Sequence, residues 1–215
     1  MALLIERWRT IYLRTRSDRT RVTVTRQGRT HIQAGMSLLL LATLLVTLGT
    51  DRSSADADSD REYAVKAAYI YNFAKFVEWP ADAFARPDSP FVIGIIGKDP
   101  FGSVIDKAVQ GKTIDGRSFT VVRLKLDQDL KQCQILFVSA SEKDKISRLF
   151  SDLKGAPVLT VGETPQFASR GGIINFKIEN GTVRFEINPD AAKRAHLTIS
   201  SKLLSLARIV KDEKR

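Results

Sequence analysis

The sequence predicts an α/β fold: a mainly parallel central sheet of about six strands with helices on both faces, ending in an antiparallel hairpin and a C-terminal helix. Three observations carry this expectation. Short apolar runs alternate with helically spaced segments, the pattern of parallel strands joined by crossover helices. Asn180-Gly181 separates two alternating runs, and both central residues of a type I′ turn need positive φ, so this pair marks a two-residue hairpin loop. After Pro189 the apolar spacing returns to that of a helix.

The elements follow in order. Arg61 to Trp79 reads as a helix ended by Pro80. Phe91-Val92-Ile93-Gly94-Ile95-Ile96 is a continuous apolar run, as in a strand covered on both faces. Asp99 before Pro100 is an N-cap with Pro at the first helical position, opening a short helix to about Gln110. Ser118 to Leu124 and Ile135 to Val138 are strands, with one helical turn over Asp127 to Gln132 between them. Ser141 and Asp144 start a helix whose apolar positions are Ile146, Leu149, Phe150 and Leu153. Gly155 ends it, and Val158 to Val161 is the next strand. The hairpin pairs Ile178 with Val183, Phe176 with Phe185 and Ile174 with Ile187. A turn of helix after Pro189 then leads to a final helix from Ser200 to Val210, with Leu203, Leu206, Ala207 and Val210 inward.

A chain of 215 residues allows one ordinary domain with a core of its own. The net charge of +10 suggests nucleic acid only if it is spread over the fold. Residues 1–57 hold nine Arg against four acidic residues, which leaves 25 basic and 20 acidic residues for the rest. That mixture argues against nucleic-acid binding.

Residues 1–57 read as a basic extension and signal peptide, and 58–215 as the domain. Ser37 to Gly49 is a 13-residue apolar run, suited to a signal h-region and short of the roughly 20 residues of a membrane span. Arg26 and Arg29 precede it, and Ala55-Asp56-Ala57 fits a small-x-small cleavage site, placing the mature start near Asp58. No Arg-Arg pair precedes the run, which argues against the twin-arginine route. The long n-region fits a true start nearer Val22 or Val24, and the rival reading is an uncleaved anchor in the inner membrane.

Catalytic patterns are thin. The expected mature chain has one His, His196, and one Cys, Cys133, too few for a transition-metal site and with no nucleophile motif around them. Gly94-Ile95-Ile96-Gly97-Lys98-Asp99 lacks the third glycine of a dinucleotide fingerprint and the Gly-Lys-Ser/Thr of a P-loop. The reading is a non-enzymatic binding protein without a cofactor. Cys133 precedes the strand run Ile135 to Val138, which suits a buried thiol.

Three surfaces are candidates for a partner. On the first helix, Tyr69, Ile70, Phe73, Phe76 and Val77 form the core face; Ala64, Ala68, Tyr71 and Trp79, mixed with Asn72, Lys75 and Glu78, form a second one, small residues beside aromatics as at interfaces. Either another element of the domain covers that second face, or a partner or second copy does. The outer face of the hairpin carries Ile173, Asn175, Lys177 and Glu179, then Thr182, Arg184, Glu186 and Asn188. It is either a solvated face or a recognition strip that includes Lys177, Arg184 and Glu186. Phe167, in the loop from Gly162 to Arg170, either plugs the core or touches a partner.

Two stretches carry a resemblance. Lys66-Ala67-Ala68-Tyr69-Ile70-Tyr71-Asn72-Phe73-Ala74-Lys75-Phe76-Val77-Glu78-Trp79-Pro80 is one. The second joins Gly171-Gly172-Ile173-Ile174-Asn175-Phe176, Arg184-Phe185-Glu186-Ile187-Asn188 and Ile199-Ser200-Ser201-Lys202-Leu203-Leu204. Together, over roughly residues 62 to 210, the chain resembles the YfiR family of periplasmic proteins. The resemblance implies a periplasmic repressor that binds the sensor domain of an inner-membrane diguanylate cyclase, so setting cyclic di-GMP and biofilm output. It also implies sequestration by an outer-membrane, peptidoglycan-associated lipoprotein. Better known relatives carry disulfides in this domain; with Cys133 alone, this chain departs from them. The rival reading is a small-ligand-binding or adaptor protein for another envelope sensor, such as a histidine kinase, with an apolar cleft lined by Tyr69, Phe73 or Trp79.

Overall fold

The computed structural model describes residues 54–213, which lie in the second of two compact units of the chain, Arg52–Arg215. The apolar run Ser37 to Gly49 and the basic residues before it lie outside the described residues. Ala55-Asp56-Ala57 falls in the first turn of the first helix, α1 (Ser54–Phe76).

The main sheet has eight strands against the roughly six expected. Parallel strands β2 (Phe91–Ile96), β4 (Arg117–Leu124), β5 (Ile135–Val138), β6 (Leu159–Gly162) and β7 (Ile174–Glu179) make its middle, with β2 between β4 and β5. Strand β8 (Thr182–Ile187) closes the hairpin against β7 in the expected register, Ile178 opposite Val183, Phe176 opposite Phe185 and Ile174 opposite Ile187. Asn180 and Gly181 have φ of 51° and 70°, as a type I′ turn requires.

The two strands beyond the expected set are short edges. β3 (Thr113–Ile114) turns through Asp115-Gly116, at φ 49° and 78°, onto β4. β10 (Arg208–Ile209) lies parallel to β8 on the opposite edge. The expected C-terminal helix to Val210 is therefore corrected: α5 is only Ser201–Leu204. Val210 N–H donates to the Ile187 carbonyl, so strand pairing takes the tail and leaves Leu206 64% and Ile209 49% exposed.

Alternation along the strands feeds two cores. Ile93, Ile95, Ile135 and Phe137 join Ile70, Phe73, Ile105 of α2 (Val104–Val109), Ala191 of α4 (Pro189–Arg194) and Leu203 of α5. Ile96, Leu136 and Val138 face the other way, onto Leu130, Cys133 and Ile146 and Leu149 of α3 (Ile146–Asp152). Helices thus cover both faces. Ser139, rather than Ser141, caps the 3-10 turn Ala140–Lys145 that leads into α3. The expected helical turn over Asp127 to Gln132 is a pair of turns instead.

α1 also ends three residues before Trp79. Val77–Glu78 (β1) leaves the helix to pair with Thr198–Ile199 (β9), and Ser200 N–H donates to the Phe76 carbonyl. This departure turns Phe76, an expected core residue, partly outward at 36% exposure.

Candidate functional site

Open α/β sheets bind ligands at the carboxyl ends of the strands where the strand order reverses, here between β2 and β5. Here side chains of the 3-10 turn, Ser141 and Glu142, pack against Gly97 and narrow that crevice. Gly97, at φ 90°, leaves β2 so close to the 3-10 turn that a Cβ would collide with Ser141 Oγ. Ser141 Oγ accepts from Lys98 N–H at 2.9 Å, which ties the two strand ends together. Among the described residues no group of three or more His, Cys, Asp or Glu side chains is placed to hold a metal ion.

A buried polar cluster ties α1 to the end of β6. Lys66, 3% exposed, bridges Glu62 and Glu163, its Nζ 2.6 Å from Glu163 Oε2. Tyr63 Oη donates to Glu163 Oε2 at 3.1 Å, and burial followed by the Glu163 charge raises the Tyr63 hydroxyl above its ordinary pKa. A buried charge left unpaired would cost several kcal/mol, so the two carboxylates hold Lys66, and with it the helix, in place.

The sequence-predicted partner face of α1 is only partly available. Ala64 is exposed, while Ala68, Tyr71 and Trp79 are half-buried. Trp79 turns inward: its Nε1–H donates to the Gln134 carbonyl at 3.1 Å and its ring meets Phe91 edge-on at 4.9 Å. Its outer side lines a cleft of about 500 Å³ with Phe84, Lys75, Glu78, Asp115 and Arg117. Tyr69 and Phe73 instead pack on Phe176 and Phe185, so they line the core and not a cleft. Tyr71 meets Phe119 of β4 edge-on at 5.6 Å. The ammonium groups of Lys75 and Lys112 stand 4.3 and 4.1 Å from the centre of the Tyr71 ring. Sequence reasoning puts Lys75 on this face and misses Lys112. Lys75 lies four residues beyond Tyr71, a spacing that signals contact on a helix; Lys112 reaches the ring only through the fold.

The hairpin face is corrected at its inner end. Asn175 and Asn188 are fully buried, Glu186 and Ile173 nearly so. The returning tail reaches Glu186 and Asn188: Arg208 Nη1 stands 3.8 Å from Glu186 Oε1, and Asn188 Nδ2 donates to Asp212 Oδ1 at 2.8 Å. Arg194 holds Asp212 with two hydrogen bonds, and with Asn188 keeps its carboxyl below the ordinary range. Lys177, half-buried, and Arg184, exposed, line a cleft of about 290 Å³ with Glu179 and Leu206. Phe167 is corrected as a partner contact. It is fully buried, edge-on to Phe150 at 5.2 Å, its ring against Gly162 and Gly172.

Tyr71 and Arg184 therefore lie toward opposite edges of the sheet, on separate surfaces. The segments around them share one core, since Tyr69 and Phe73 rest on the hairpin. A family model described as YfiR/HmsC-like matches residues 63–208, which span both segments. The chain belongs to the YfiR/HmsC-like family. Membership in the YfiR/HmsC-like family supports a regulatory role in cyclic di-GMP signalling. No curated protein matches the chain. Among the described residues no helix is long and apolar enough to cross a membrane.

Proposed function

We propose that the protein is an exported, non-enzymatic regulator that restrains an inner-membrane diguanylate cyclase by binding its periplasmic sensor domain. The family match over residues 63–208 carries this reading. The narrowed crevice between β2 and β5 accords with contact at the surface. Restraint works by linkage: a regulator that binds the inactive arrangement of a two-state receptor more tightly shifts it there. An affinity ratio of about 10⁴ between the two states takes the receptor from almost wholly active to almost wholly inactive. A peptidoglycan-associated outer-membrane lipoprotein would release the cyclase by binding the regulator in its place. Cyclic di-GMP in cells lacking the gene tests this. The level should rise and return when the exported protein is restored; an unchanged level in resting and envelope-stressed cells would rule out the role.

One observation favours a second reading. The cleft beside Trp79 combines aromatic walls with Lys75, Glu78, Asp115 and Arg117, as a small-ligand site would. A ligand there would make the chain an adaptor that reports a small molecule to an envelope sensor such as a histidine kinase.

A further inference from the structure

The outer side of β4 is incompletely paired. Among the described residues, β3 covers it at Arg117 and Ser118 only, and from Phe119 to Leu124 no strand lies on that side. An uncovered edge offers backbone N–H and C=O groups to which another polypeptide strand can pair. A groove of about 540 Å³ runs beside this edge, between β4 and α2, floored by Val109, Phe119 and Val121. Thr113 lines both this groove and the Trp79 cleft, so the two adjoin.

Charge on this surface is unbalanced. Lys75 and Lys112 flank the Tyr71 ring, and neither has a carboxylate within ion-pair distance among the described residues. Lys107 lines the groove, and Arg117 stacks on Phe84 at 3.9 Å while donating to the Arg86 and Ser89 carbonyls, which leaves its charge uncompensated. Against these four stand Glu78 and Asp115, because Asp106 is taken up by Arg123 at 2.7 Å. A second copy pairing the same edge about a twofold axis would set these cations against each other.

We infer that the β4 edge, with Lys75, Tyr71 and Lys112, is the docking site for an extended acidic segment of a partner protein, which adds to the sheet as a further strand. The open edge supplies the main-chain hydrogen bonds, and of the two alternating sets of side chains the one on the groove side carries its carboxylates to the lysines, its methylenes resting on Phe119 and Val121. Assigning that segment to the cyclase sensor rests on the proposed function above.

The probe is a ten-residue fluorescein-labelled peptide of alternating Glu and Val, beside its Lys–Val counterpart, titrated by anisotropy with the purified protein. The acidic peptide should bind at least tenfold tighter than the basic one. Lys75→Glu with Lys112→Glu should weaken it at least tenfold, Lys75→Gln with Lys112→Gln by less, and Arg184→Glu, toward the opposite edge, should leave it unchanged. Equal binding of the two peptides, no binding, or wild-type binding by the Glu and Gln variants would overturn the inference. In cells, the Glu double variant exported at wild-type level separates the two claims. Intact restraint of cyclic di-GMP by that variant sinks the docking site and leaves the proposed function standing. If deleting the gene leaves cyclic di-GMP unchanged, the proposed function falls and the peptide titration alone decides the surface.

Discussion

Phe167 fills the space between two glycines, and that packing settles its role as a core plug. A Cβ at Gly162 or Gly172 would collide with its ring, so the loop depends on that ring being present. Phe167→Ala should cost about 3–5 kcal/mol of unfolding free energy, as for other large aromatic deletions. Urea denaturation reads this directly, and a loss under 1 kcal/mol would show that the site collapses freely. Cys133 obeys a second local rule. It is buried on the α3 side, and burial, then the Asp129 charge, pushes its thiol up to about 12. A raised folded pKa means that its stabilising effect is complete below the unfolded value near 9 and lost as pH climbs toward 12. Cys133→Ala should flatten the alkaline fall in melting temperature, and the wild-type thiol should resist thiol reagents at neutral pH. Rapid labelling of the folded protein would contradict this.

Turns were legible at the scale of the element where both the turn residues and their strands spoke. Asn180-Gly181 sits between six-residue strands, and its register follows from the sequence alone. Asp115-Gly116 sends the same signal, yet β3 is only two residues long, too short to show alternation. Gly181→Val puts a β-branched residue at φ 70° and should cost about 1–3 kcal/mol, measurable by thermal unfolding. An unchanged melting temperature would mean that the turn does not need positive φ. The tail was not legible. Leu203, Leu206, Ala207 and Val210 keep helical spacing, but backbone pairing with Ile187 outweighs local propensity after Leu204. For the same reason strand alternation placed Asn175, Glu186 and Asn188 outside. The returning tail, held by Asp212 against Arg194 and Asn188, and the loop at Ala168, which accepts from Asn188 Nδ2, come from elsewhere in the chain to close over this end.

Across the whole molecule, the cores and the sheet order place two uncommitted surfaces toward opposite edges: the Tyr71 side with Lys75 and Lys112, and the Arg184 side with Lys177. Half of the first surface was readable, because Tyr71 and Lys75 share a helix. Lys112 and the open edge of β4 were not, since both depend on how distant segments meet. The most direct measurement is cyclic di-GMP synthesis from GTP in detergent-solubilised membranes of cells lacking the gene, with and without the purified mature protein. The account predicts a saturable, dose-dependent fall in synthesis when the protein is added. Synthesis that stays unchanged at saturating protein would contradict it.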